Sequence, residues 1–201
     1  MSIRAVIWDL GGVLLRTEDY GPRDGLAQRL GMSRLELEET AFGKEAGKRG
    51  QRGEVSASEH WATIAQSVGL PVETFWNEFF GGDRLDQELV AAIRELRLRY
   101  RTGLLSNAFS DLRGLVTEQW KIADAFDELV ISAEEGVMKP DERIYRITLE
   151  RLGVAAQEAV FVDDFKRNVE AAERAGIRAI HFRGPQQAWS ELEQILKDGV
   201  Q

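Results

Sequence analysis

Apolar positions along this chain follow two periods in turn. Short apolar runs at Arg4–Trp8, Thr102–Leu105, Glu128–Ile131, Ala159–Val162 and Ala179–Phe182 read as buried strands. Between them, Gln87–Tyr100, Asp111–Gln119, Glu142–Leu152, Lys166–Ala175 and Gln187–Lys197 carry the period of amphipathic helices. Gly153 and Gly176 each follow a helical pattern immediately and predict its C-terminal stop. Strands alternating with helices predict an α/β fold built on a doubly wound parallel sheet. No internal repeat or low-complexity tract interrupts the alternation.

From about Arg16 to Arg84 the pattern reads as helices alone. Ser33-Arg34-Leu35-Glu36 and Ser56-Ala57-Ser58-Glu59 both have capping-box form. After the second, Trp61, Ile64, Ala65 and Val68 share one helical face. Phe75, Trp76, Phe79 and Phe80 predict a packing cluster rather than a cofactor stack. Residues 1–15 and 85–201 would then form the α/β core, and residues 16–84 an all-helical insertion after the first strand. Glycines at 43, 47, 50 and 53 predict a flexible stretch within it. That stretch holds Lys44, Lys48, Arg49 and Arg52 against Glu45, either as a solvated loop or as a surface for an anion.

Four predicted strands end in polar groups of complementary chemistry. The first ends at Asp9, with Gly11-Gly12 directly behind it, so an acid stands beside turn N–H groups that suit an anion and a metal ion. Thr102–Leu105 leads into Ser106-Asn107, Gly136-Val137-Met138 into Lys139-Pro140, and Ala159–Val162 into Asp163-Asp164. Ligands of open parallel sheets bind outside the carboxyl ends of the strands, so these groups are expected to converge on one crevice.

WDLGGVL at Trp8–Leu14, LLSNA at Leu104–Ala108, VMKPDERIY at Val137–Tyr145 and VFVDDFKRNVEAAERAGIRAI at Val160–Ile180 match the haloacid dehalogenase superfamily in order and spacing. The chain resembles the phosphatase-like branch of those hydrolases from its first strand to about Ile180. The resemblance implies a Rossmann-like core with a mobile helical cap, and hydrolysis of a small organic phosphate, a sugar phosphate being favoured. It assigns Asp9 as nucleophile, forming an aspartyl phosphate that water then hydrolyses. Mg²⁺ would be held by Asp9, Asp164 and the Gly11 carbonyl, with Asp163 ligating through water or orienting Asp164. Lys139 would neutralise charge, and Ser106, Asn107 and the Gly11-Gly12 turn would bind the phosphoryl oxygens. The alternatives are a weakly active protein that binds a phosphate ligand or a partner, and a metal-independent dehalogenase acting through an ester on Asp9.

One position departs from that pattern. These phosphatases usually carry a second aspartate, the general acid, two positions after the nucleophile, and Gly11 stands there instead. A water or a carboxylate such as Glu45 or Glu54 would have to replace it. Asn168 is expected to fasten a loop, His60 to lie exposed on a helix, and His181 to be structural.

Charge then narrows the partners. With 26 basic and 34 acidic residues the net charge is −8, which argues against nucleic-acid or membrane-surface binding. An anionic phosphorylated metabolite therefore needs local positive charge, which a divalent metal and Lys139 would supply. The chain has no cysteine, which excludes disulfides, thiolate catalysis and cysteine-ligated zinc. A cytoplasmic location is expected, because the Ala5–Leu15 run is broken by Asp9 and has no signal-peptide pattern.

Overall fold

Seven strands occur among the described residues: β1 (Ala5–Trp8), β2 (Leu15–Thr17), β3 (Asp83–Leu85), β4 (Arg101–Ser106), β5 (Glu128–Ile131), β6 (Ala159–Asp163) and β7 (Arg178–His181). The structure is a computed structural model and describes residues 2–198. Five strands form one parallel sheet in the order β5-β4-β1-β6-β7. β1 lies at its centre, with Trp8 level with Leu104 on one side and Val162 on the other. The residues that follow these strands therefore leave the sheet at the same edge.

Alternation along the strands builds a core on each face of the sheet. Val6, Trp8, Leu104, Val160 and Val162 pack on one side against helices Gln87–Arg97 and Pro185–Asp198. Ala5, Ile7, Leu105, Val130 and Phe161 pack on the other against helices Glu142–Leu152 and Lys166–Arg174. Gly153 ends the first of these two helices at φ +65°, a backbone conformation that a side chain disfavours. The segment expected to be one helix at Asp111–Gln119 is a short turn, Leu112–Gly114, that widens to a π-helix over Leu115–Gln119.

The inserted segment carries helices Gly21–Arg29, Arg34–Glu38, Glu45–Gln51, Ala57–Ser67 and Val72–Phe79. Both expected capping boxes form, on Ser33 with Glu36 and on Ser56 with Glu59. Trp61, Ile64, Ala65, Phe75 and Phe79 form a separate hydrophobic cluster, which Phe109 joins from the core. The reading of helices alone needs correction at its base. There β2 and β3 pair antiparallel, and Thr17 donates to Asp83 Oδ1 at 2.6 Å. Each strand is three residues long and its partner is almost seventy positions away, so no local periodicity announces the pair.

The basic stretch is also a packed helix rather than a flexible loop. A Cβ on Gly50 would lie 2.4 Å from the Phe109 ring, and one on Gly53 would lie 2.1 Å from the Ala133 carbonyl oxygen. These glycines permit close contact with the core. Arg52 pairs with Glu45 and Glu54, and Arg49 pairs with Glu54, which engages two of the four cations of this stretch.

Candidate active site

The turn after β1 sets the first group. Asp9 ends the central strand and is only 6% exposed, and its Oδ1 accepts the Leu10 N–H at 2.7 Å. The turn closes on itself, with Leu14 and Leu15 N–H groups both donating to the Leu10 carbonyl at 2.8 Å. Gly12 sits at φ +77°, and a Cβ there would stand 2.1 Å from Asp164 Oδ2. Glycine thus makes room for a carboxylate arriving from another strand. The Gly12 N–H donates to the Leu15 carbonyl at 2.9 Å, which helps to close the turn.

Lys139 reaches this turn from the loop beyond β5. Its side chain is 1% exposed, and Nζ meets Asp9 Oδ1 at 2.8 Å, Asp163 Oδ2 at 2.7 Å and the Leu105 carbonyl at 3.0 Å. Three acceptors match the three donors of an ammonium. Asn107 holds the lysine's backbone in a cyclic pair: its amide donates to the Lys139 carbonyl at 2.9 Å and its Oδ1 accepts the Lys139 N–H at 2.7 Å. The side chain expected to bind phosphate is therefore occupied as a fastener. The Ser106 hydroxyl, 4% exposed, has no hydrogen-bond partner among the described residues.

The two acids after β6 differ sharply. Asp163 is fully buried and saturated: Oδ1 accepts Phe165 N–H at 2.8 Å and Asn168 at 3.0 Å, while Oδ2 accepts Lys139 at 2.7 Å and Asn168 at 3.1 Å. Asn168 thus fastens the loop, as expected. Asp164 Oδ1 is buried with no hydrogen-bond partner among the described residues. A buried polar atom left unpaired is costly, and a cation held by this acid would satisfy it. His181 Nε2 donates to the Asp164 backbone carbonyl at 2.9 Å, an orienting contact in line with the structural role expected of it.

Ligand atoms of Asp9, Asp163 and Asp164 all lie within 4.8 Å of one another. Among the described residues Lys139 is the only cation paired with them, so this cluster carries an excess of negative charge. Burial pushes the Asp9 carboxyl up against the opposing pull of Lys139. Burial, reinforced by Asp163, pushes Asp164 up to about 6. A divalent cation would relieve both effects.

His60 is corrected from an exposed helix residue to a buried one. It is 2% exposed, with Nε2 at 2.9 Å from the Ala41 carbonyl and its ring stacked 4.6 Å from Phe109. A groove of about 610 Å³ between Trp61, Trp76 and Ser110 contains none of the strand-end residues. No helix among the described residues is long and apolar enough to cross a membrane.

Residues 3–176 match the profile of the haloacid dehalogenase-like hydrolases. The chain is 27% identical to a sesquiterpene phosphatase of Aspergillus oryzae over 97% of both chains. It is 29% identical to mouse acyl-CoA dehydrogenase family member 10, over 97% of this chain but 19% of that protein. Its fold superposes with TM-score 0.78 on a HAD family enzyme of Bacteroides thetaiotaomicron, solved in complex with magnesium and inorganic phosphate. That match is 22% identical and covers 95% of this chain and 99% of that one.

Proposed function

The chain belongs to the haloacid dehalogenase-like hydrolases, and from that premise we propose that it is a Mg²⁺-dependent phosphatase of a small organic phosphate. The observation that carries the reading is the orphaned Asp164 Oδ1, set among three clustered carboxylates beside a buried lysine. An all-oxygen donor set of this kind suits Mg²⁺. Asp164 and Asp9, with the Gly11 carbonyl, would hold the ion, while the saturated Asp163 orients its neighbours. When bound, Mg²⁺ supplies charge neutralisation for a phosphoryl group. The phosphatase name of the Aspergillus oryzae relative and the magnesium-phosphate complex of the Bacteroides neighbour support this assignment.

The residues then divide the work. Asp9 Oδ1 takes the Lys139 and Leu10 donors, which fixes the carboxylate that attacks phosphorus. The P–O bond to the organic group breaks and its electron pair leaves with that oxygen. The Ser106 hydroxyl and the Gly11 N–H stabilise the transferring oxygens, and Lys139 balances the charge shared with Asp9. Water next attacks the aspartyl phosphate at phosphorus, releasing inorganic phosphate and restoring Asp9. Residues 16–84 act as a cap that excludes bulk water and selects the organic group. Sugar phosphates are the favoured class.

Phosphate release across a panel of sugar, aryl and acyl phosphates, with and without Mg²⁺, tests this. Release that depends on Mg²⁺ and on Asp9 is expected. No release from any class, or release indifferent to metal, would reject it.

A further inference from the structure

Ser132 follows Ile131, whose Cα is paired in register with Ser106 across β4 and β5. Its side chain is fully buried and stands at a junction of three backbone segments. The hydroxyl accepts the Ala108 N–H at 3.0 Å and lies 2.6 Å from the Gln51 carbonyl oxygen of the inserted segment. The Ala108 carbonyl lies at 3.2 Å, a second and longer acceptor. One hydroxyl proton cannot serve both carbonyls fully, so it goes to Gln51 while that segment is seated. If Gln51 lifts away, the proton turns to Ala108 and the loop loses the arrangement it had.

The seat itself is made of backbone. Gly53 lies at φ +72° with its missing Cβ against the Ala133 carbonyl, and the missing Cβ of Gly50 lies against the Phe109 ring. Contacts are therefore contiguous from Gln51 through Ser132 to Ala108. Asn107 then carries them to the Lys139 backbone and the lysine to Asp9.

We propose that Ser132 is a positioning residue that couples the seating of residues 45–53 to the Ser106–Ala108 loop, so that the inserted segment sets the affinity for phosphate. The inference rests on the phosphatase reading for its ligand, but the coupling itself is a property of the chain. A merely structural Ser132 would only satisfy buried backbone groups, and its loss would lower stability alone.

The decisive variant is Gly53→Ala, which leaves the hydroxyl intact and pushes the seat from the other side. Ser132→Ala is its companion. Both are measured in the full chain with Mg²⁺, by calorimetric titration of inorganic phosphate and by amide exchange of residues 45–53 and 106–109. Both variants are expected to speed exchange in both segments. Each should also weaken phosphate binding roughly five- to ten-fold, the size of one buried hydrogen bond. The double variant should weaken it no further than the larger single effect, as coupled sites do. The inference is overturned if Gly53→Ala loosens 45–53 while Ala108 exchange and phosphate affinity stay at wild-type values. It is equally overturned if Ser132→Ala lowers thermal stability alone. A wild-type chain that binds no phosphate would reject the phosphatase reading, and the exchange results would still decide the coupling.

Discussion

Lys139 Nζ stands 2.8 Å from Asp9 Oδ1 with both side chains buried. Removing one partner of such a pair differs greatly from neutralising the other. Lys139→Met leaves Asp9 and Asp163 buried without their shared cation and should cost about 3–5 kcal/mol. Asp9→Asn keeps an oxygen for the Leu10 N–H, leaves Lys139 paired with Asp163, and removes a charge whose burial is unfavourable. Its denaturation midpoint should equal or exceed wild type, while turnover falls below detection. Wild-type turnover in Asp9→Asn would remove that residue from the mechanism.

Asp163 and Asp164 should separate in a magnesium titration. Asp164→Ala deletes an oxygen with no protein partner, so metal affinity should suffer most and fold stability least. Asp163→Ala orphans Phe165 N–H and Asn168, and removes one of the Lys139 acceptors. It should lower stability by roughly 2 kcal/mol or more and weaken Mg²⁺ about 10- to 100-fold, as outer-shell changes do. Asp164→Ala should exceed that loss. The opposite ranking would reverse the two assignments.

The parallel core was legible because its signals are local. Each strand is a short apolar run, each helix a repeated face, and the polar groups follow the strands directly. The β2–β3 pair was hidden because three-residue strands almost seventy positions apart carry no period. The glycines at 50 and 53 read as flexibility because sequence does not show Phe109 and Ala133 waiting for them. At the site, the positions of Asp9, Ser106 and Asp164 follow from strand ends, whereas Lys139 stands on a loop after the short helix Ser132–Glu135, where a strand over Gly136–Met138 was expected. The use of Asn107 on the Lys139 backbone does not follow either, since an amide that fastens a loop and one that binds an anion look identical in sequence.

Magnesium should stabilise the fold in a pH-dependent way. With Asp164 raised to about 6, the metal-free folded chain binds that proton more tightly than the unfolded chain. Its contribution is complete below the ordinary aspartate value of about 4 and is lost as pH rises through about 6. Mg²⁺ competes with the same proton. Its thermal shift should therefore be small near about pH 5 and large near about pH 7.5. A shift that shrinks as pH rises would contradict the role given to Asp164.

Gly11 carries no side chain to protonate the departing oxygen, and the two carboxylates of the inserted segment expected as substitutes are engaged elsewhere. Glu54 is held below the usual carboxylate range chiefly by its bond to Arg52, with Arg49 assisting, so it is a poor acid. Glu45 is tied to Arg52 at 2.7 Å. The rate should therefore depend steeply on how well the oxygen leaves unaided. Anomeric, aryl and acyl phosphates should outpace phosphates of primary alcohols. A Cβ on Gly11 meets nothing within 4 Å, so a side chain can begin there, and Gly11→Asp is the variant that restores the missing acid. General acid catalysis is worth roughly 10²- to 10⁴-fold. The variant should gain in that range on alkyl phosphates and little on aryl ones. Measuring kcat/KM against leaving-group pKa in both proteins checks this, with a steep slope expected in wild type and a shallow one in Gly11→Asp. A flat wild-type series would show that another group delivers the proton.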